Sequence, residues 1–142
     1  MTSIIQVQRF EIAILSFNNC QSHLTAALNL FRRLLDSSGA VEPSSSFNAV
    51  TTRLGLSTSN LPSHCLQFPS AEQAAFGFSS ALLIFDDIIA STMLQERPKL
   101  YDYHRSLLGD IDCINPSINL EVVVGCQNWT LLQISQVAVL DA

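Results

Sequence analysis

Charge is the scarcest ingredient of this sequence. Only 13% of its 142 residues are charged, about half the usual share of roughly 25%. A chain so poor in charge has little with which to cover its surface, so part of its apolar surface is expected to meet a partner or further chain. Basic residues are scarcer than acidic ones, seven against twelve, for a net charge of −5. No basic stripe exists, which argues against direct nucleic-acid contact by this chain. The one adjacent basic pair, Arg32–Arg33, reads as a solvated helix end. The five glycines do not cluster, so no phosphate-cradling loop is present. The closest two of the four cysteines, Cys113 and Cys126, are thirteen residues apart, which is not a zinc-site spacing. Arg9 and Glu11 interrupt the early apolar stretch and argue against a signal peptide. A reducing compartment is the expectation, with thiols acting as small apolar groups. No run is expected to reach the roughly 18 apolar residues of a membrane span. In that setting the glycosylation acceptor pattern Asn128–Trp129–Thr130 is incidental.

What is present is apolar periodicity. Apolar residues make up 48% of the chain, enough for one domain with a core. Val7, Phe10, Ile14 and Phe17 recur at helical spacing and predict a first helix over 4–17. Asn18, Asn19 and Cys20 are expected to break it, and Ser22 to cap a second helix running to about Asp36. That helix buries Leu24, Leu28, Phe31 and Leu35, shows Thr25, Asn29, Arg32 and Asp36 to water, and ends at Gly39. The pair predicts an antiparallel hairpin over 1–36. Residues 37–69 carry Pro43, Gly55, Pro62, Pro69 and many serines, and predict a long surface loop or insert.

The third part, 70–142, opens with a capping box, Ser70 and Gln73. A long helix follows, with Phe78, Leu82, Phe85, Ile89 and Thr92 as its stripe and Pro98 as its stop. At about 1.5 Å per residue it spans roughly 40 Å and is expected to be central. A short helix over 100–108 closes at Gly109, and Asn115–Pro116 marks a turn. Residues 118–124 could form a strand, but no second strand offers itself, so a short helix is preferred. Gly125 breaks the chain before a last helix from Asn128, apolar nearly all round, whose end in Val139, Leu140, Asp141, Ala142 reads as a cut. The expected fold is all-α, an irregular bundle of about five helices with a long Ser/Pro-rich loop.

Candidate chemistry is thin. Asp86–Asp87 on the long helix is similar to the aspartate pair with which terpene cyclases hold magnesium. However, Ile89, Ala90 and Ser91 supply no further carboxylate. Adjacent residues also point about 100° apart on a helix. Asp87 is therefore expected to be solvated, and Asp86 to be partly buried against a neighbouring helix or arginine. His23, His64 and His104 sit on separate elements without ligand-spaced partners, and His104 is expected at the surface. No Gly-x-Ser-x-Gly or Cys–His signature appears. Catalytic residues, cofactor and metal are all expected to be absent. Gly125–Cys126–Gln127–Asn128–Trp129 reads as a tight corner between helices. Gly125 is left-handed there, Asn128 caps the last helix and Trp129 is buried.

The run Ile84–Phe85–Asp86–Asp87–Ile88–Ile89–Ala90–Ser91–Thr92, then Pro98, Tyr101, His104, Leu107 and Leu108, resembles the fungal-specific transcription factor domain of binuclear zinc cluster regulators. So does Val123–Val124–Gly125–Cys126–Gln127–Asn128–Trp129 with Leu132, Ile134, Val137, Ala138 and Leu140, and, near the start, His23–Leu24–Thr25–Ala26–Ala27. Phe85, Asp86, Pro98, Gly125, Cys126 and Trp129 are its structural hallmarks here. The resemblance covers about two thirds of the chain and skips the Ser/Pro segment. It implies a nuclear regulator whose helical region receives a signal, masks activation or mediates assembly. The six-cysteine cluster and basic linker that would bind DNA are absent from these 142 residues. A protein partner or homo-oligomer is expected, with a small-molecule effector possible. The competing readings are a sensor with an apolar pocket of at least about 300 Å³ between the long and last helices, and an isoprenoid-type enzyme fragment.

Overall fold

A computed structural model of the chain describes residues 3, 4, 6, 7, 17–39, 41–56, 69–109 and 115–140. Its order is α1 (Phe17–Ser37), α2 (Pro43–Leu56), α3 (Ala71–Leu94), α4 (Tyr101–Leu108), α5 (Leu120–Val124) and α6 (Asn128–Leu140). Among the described residues there is no strand, so the all-α expectation holds and residues 118–124 do contribute a short helix. Residues 3, 4, 6 and 7 are helical, while 8–16, where most of the first predicted helix falls, lie outside the described residues.

α1 differs from expectation at its start. Asn18, Asn19 and Cys20 are helical, so Ser22 lies inside the helix and not at its start. Local propensity is a weak prior, and here the helix continues upstream of a strongly amphipathic stretch that packing holds in place. Its inner stripe, Leu24, Leu28, Phe31 and Leu35, is buried as periodicity requires. The helix closes at Gly39, φ 70°, a left-handed conformation that only glycine adopts cheaply.

The segment 37–69 is not a plain loop, because Pro43–Leu56 forms α2. Serine-rich composition concealed it. Pro43 stands at the first helical position, where its missing N–H costs nothing. Phe47 supplies the buried anchor, stacking on Phe76 of α3 at 5.1 Å between ring centres. Phe31 of α1 meets the same ring at 6.3 Å, so one aromatic cluster joins three helices. Residues 57–68 lie outside the described residues.

α3 is central, packing against α1, α2, α5 and α6. Its start has the predicted capping box: Gln73 N–H donates to Ser70 Oγ at 3.2 Å, and Ser70 N–H to Gln73 Oε1 at 2.8 Å. Gln73 Nε2 also donates to the Thr51 carbonyl at 2.9 Å, so the cap fastens α2. Gly55 makes room for that amide, since a Cβ there would lie 2.3 Å from Gln73 Nε2. The helix ends at Gln95, left-handed at φ 54°, before Pro98 is reached.

The buried face of α3 is not the predicted one. Ser79, Ser80, Ala81, Leu83, Ile84, Asp86, Asp87, Ile88 and Ser91 are buried, while Phe78 is 53% exposed. Leu82, Phe85 and Ile89 are only half-buried, and Thr92 is exposed. Two apolar stripes run along this helix, and the one interleaved with serine and aspartate packs inward. Ala71–Leu94 is also long and apolar enough to cross a membrane by length and composition, at a hydropathy of 1.5, contrary to expectation. Half of that apolar window is buried within the bundle, as suits a core helix.

Candidate functional site

Three helices meet at one buried polar network. Asp87 is 2% exposed, His104 of α4 1% and Ser135 of α6 1%. The expectations that Asp87 is solvated and His104 superficial are therefore corrected: both point into the core. The helical period places Asp87 with Ser80, Ser91 and the core residues Leu83, Ile84 and Ile88, not with the outer face. His104 Nδ1 lies 2.9 Å from Ser135 Oγ, and His104 Nε2 lies 3.5 Å from Asp87 Oδ2.

The Asp87 carboxylate has other work. Oδ1 accepts the N–H of Lys99 at 3.1 Å and Oδ2 that of Leu100 at 2.9 Å. These are the donors at the start of α4, whose own N-cap residue, Leu100, offers no side-chain acceptor. Asp87 thus caps α4 from another helix, where a carboxylate also meets the positive end of the helix dipole. Ser91 Oγ adds a bond to the Asp87 carbonyl at 2.6 Å.

A serine, a histidine and an aspartate in line invite comparison with a nucleophilic triad. The arrangement lacks what a triad requires. Ser135 lies inside α6, not in a strained turn, and all three side chains are sealed from water. Both carboxylate oxygens accept backbone amides, so Asp87 does not offer the metal-binding face considered for Asp86–Asp87. Asp86 is itself 8% exposed. Among the described residues no group of three His, Cys, Asp or Glu could hold a metal ion.

The corner 125–129 also differs in its parts. Gly125 has φ 75° and ends α5, its N–H donating to Glu121 O, as expected. Asn128 instead reaches backward: Oδ1 accepts Leu120 N–H at 2.8 Å, and Nδ2 donates to Leu108 O and Ile118 O, both at 2.7 Å. It ties the end of α4 to the start of α5. Trp129 is 41% exposed, not buried, and its Nε1 bonds to Gln127 Oε1. Facing outward costs the indole no hydrogen bond, because a glutamine two residues back supplies one. Cys126 is a half-buried free thiol against the core, and Cys20 is half-buried on α1. Cys65, Cys113 and His64 lie outside the described residues, and His23 is half-buried on α1.

A cavity of about 300 Å³ is lined by Leu28, Asn29 and Arg32 of α1 and by Arg97, Pro98, Lys99, Leu100 and Asp102. The sensor reading placed a pocket between α3 and α6. This one lies between α1 and the α3–α4 link, and its rim is polar. A second cavity of about 230 Å³ adjoins it, sharing Arg32 and Asp102. Sequence reasoning passed over this group because Arg32 lies 65 residues from Arg97. The local signal was Arg97 and Lys99 flanking Pro98.

Each cation is held in place. Arg97 stacks over the Tyr101 ring at 4.8 Å and Arg32 over Tyr103 at 5.7 Å. Lys99 Nζ donates to Thr25 Oγ1 at 2.5 Å. Arg97 also pairs with Asp102 at 2.5 Å, and Arg32 lies 3.9 Å from Asp36. Tyr103 Oη donates to Asp36 Oδ1 at 2.8 Å. Burial, and then this bond to Asp36, raise the Tyr103 pKa above the ordinary 10.0.

Comparison with known proteins agrees with the family resemblance read from the sequence. "Transcription factor dibT" of Pestalotiopsis microspora is 37% identical over 144 residues, covering 100% of this chain and 23% of the relative. "Pestheic acid cluster transcriptional regulator 3" of Pestalotiopsis fici is 26% identical over 145 residues, covering 99% of this chain and 24% of the relative. The chain thus spans about a quarter of the length of these curated relatives. No solved structure matches. The family described as Fungal specific transcription factor domain matches over residues 1–142, and the chain belongs to it.

Proposed function

We propose that this chain is the regulatory and interaction region of a fungal transcription regulator, acting in the nucleus through contacts with protein rather than with DNA. The observation that carries this reading is the outer face of α6. Leu131, Ser135 and Ala138 face the core, while Trp129 (41% exposed), Val137 (55%) and Leu140 (84%) face outward. Val122 of α5 is 81% exposed. Apolar groups gathered on one helix face characterise surfaces that meet protein. The net charge of −5 argues against a phosphate-binding role. The sealed Ser135–His104–Asp87 network argues for a structural duty and against catalysis.

The test is a reporter assay. The chain is fused to a heterologous DNA-binding domain, and output is compared with that of Trp129→Glu and Leu140→Glu fusions of equal abundance. Changed output, with matching changes in sedimentation of the purified chains, is expected. Unchanged output and sedimentation would remove the interaction role. A second reading, effector sensing, is favoured by the cavity between α1 and the α3–α4 link.

A further inference from the structure

The structure assigns the cavity between α1 and the α3–α4 link as a binding site for a small carboxylate that also carries an apolar ring or chain. The inference deepens the sensing reading and rests on it. Charge is the first argument. Three of the chain's seven basic residues, Arg32, Arg97 and Lys99, line this one cavity, with Asp102 as its sole lining carboxylate. The lining therefore carries a formal charge of +3 − 1 = +2, within a chain of net charge −5.

Preorganisation is the second argument. The Tyr101 and Tyr103 rings support the two guanidinium planes and Thr25 Oγ1 holds the ammonium, so little side-chain freedom remains to be lost on binding. Guanidinium groups so placed suit the planar, two-point recognition of a carboxylate. The present partners do not preclude it. Arg97 and Asp102 side chains are 53% and 76% exposed, and exposed ion pairs of this kind are weak. A ligand carboxylate in the cavity competes with Asp102 for Arg97 while Lys99 and Arg32 line the same space.

Shape is the third argument. Leu28, Pro98 and Leu100 supply apolar wall beneath the cations, with Pro98 and Leu100 themselves buried. A volume of about 300 Å³ stands at the lower end of small-molecule sites. The occupant is thus a single-ring or short-chain acid, and neither a nucleotide nor a peptide.

The probe is sodium benzoate, titrated into the 142-residue chain at constant ionic strength and followed by amide and arginine side-chain NMR. Saturable shifts centred on Arg32, Arg97, Lys99 and Leu100 are expected. Arg97→Gln and Lys99→Gln should each weaken binding about tenfold or more. Arg97→Lys, which keeps the charge and loses the fork, should weaken it too. Arg53→Gln on α2, outside the cavity lining, should leave it unchanged. The site is overturned by absence of saturable shifts, by equal loss in Arg53→Gln, or by equally tight binding of neutral benzyl alcohol. The titration reads the site alone. If benzoate binds but does not alter the reporter output, the sensing role fails while the site stands.

Discussion

The Asp87 carboxylate accepts the Leu100 amide at 2.9 Å across thirteen residues of chain. The same pattern recurs twice. Ser106 Oγ of α4 accepts Ser44 N–H at the start of α2, at 3.1 Å over 62 residues. Asn128 Oδ1 accepts Leu120 N–H at the start of α5. Three helix starts thus receive an acceptor from a distant side chain, α5 in addition to its own N-cap Asn119, which ties their formation to tertiary docking. Asp87→Ala should leave the buried Leu100 N–H and the part-buried Lys99 N–H without their acceptor and cost about 2–4 kcal/mol. Urea unfolding checks this, and a loss under about 0.5 kcal/mol would show the capping to be incidental.

Asn128 bonds to three backbone groups at once, an acceptor for Leu120 N–H and a double donor to Leu108 O and Ile118 O. Asn128→Asp keeps the shape and the acceptor but sets a carboxylate oxygen against two carbonyl oxygens. It should cost about 2 kcal/mol or more at neutral pH. The thermal midpoint should fall by several degrees, at roughly 3–5 °C per kcal/mol for a domain of this size. Equal midpoints for the wild-type chain and the Asp variant would contradict this network.

These contacts explain what was and was not legible in the sequence. The stripe of α1, the capping box of α3 and the left-handed Gly39 and Gly125 are local rules, and each is found in place. α2 was missed because its serines carry no periodic signal and its stability comes from Phe47 meeting Phe76. Asp87, His104 and Ser135 looked unrelated because nothing in their sequence separation announces a shared interior. The basic cavity escaped for the same reason: its cations come from two distant segments.

The choice of face on α3 is itself testable. Phe78 belongs to the predicted stripe and Ile84 does not, yet Phe78 is 53% exposed and Ile84 is fully buried. Ile84→Ala should cost about 2–5 kcal/mol through lost burial and the cavity left behind. Phe78→Ser should stay within about 1 kcal/mol, because the ring is already largely in water. Denaturant midpoints for the pair decide the matter, and the reverse order would restore the outer stripe as the core.

Tyr103 gives the rim of the cavities a pH signature. Burial, and then donation to Asp36, raise its pKa above the unfolded value of 10.0. The folded chain therefore holds the phenol proton more tightly than the unfolded chain does. Its contribution to stability is fully present below pH 10.0 and is lost as pH rises through the higher folded pKa. Above that window a phenolate would face the Asp36 carboxylate, with Arg32 stacked on the ring as a partial offset. Tyr103→Phe removes both the proton and the bond to Asp36, so the variant should start slightly less stable at pH 7 and lose less on alkaline titration. Urea unfolding at pH 7 and at about pH 10.5 should show the two stability curves converging. Parallel curves would mean that Tyr103 titrates alike in the folded and unfolded states, which its contact with Asp36 forbids.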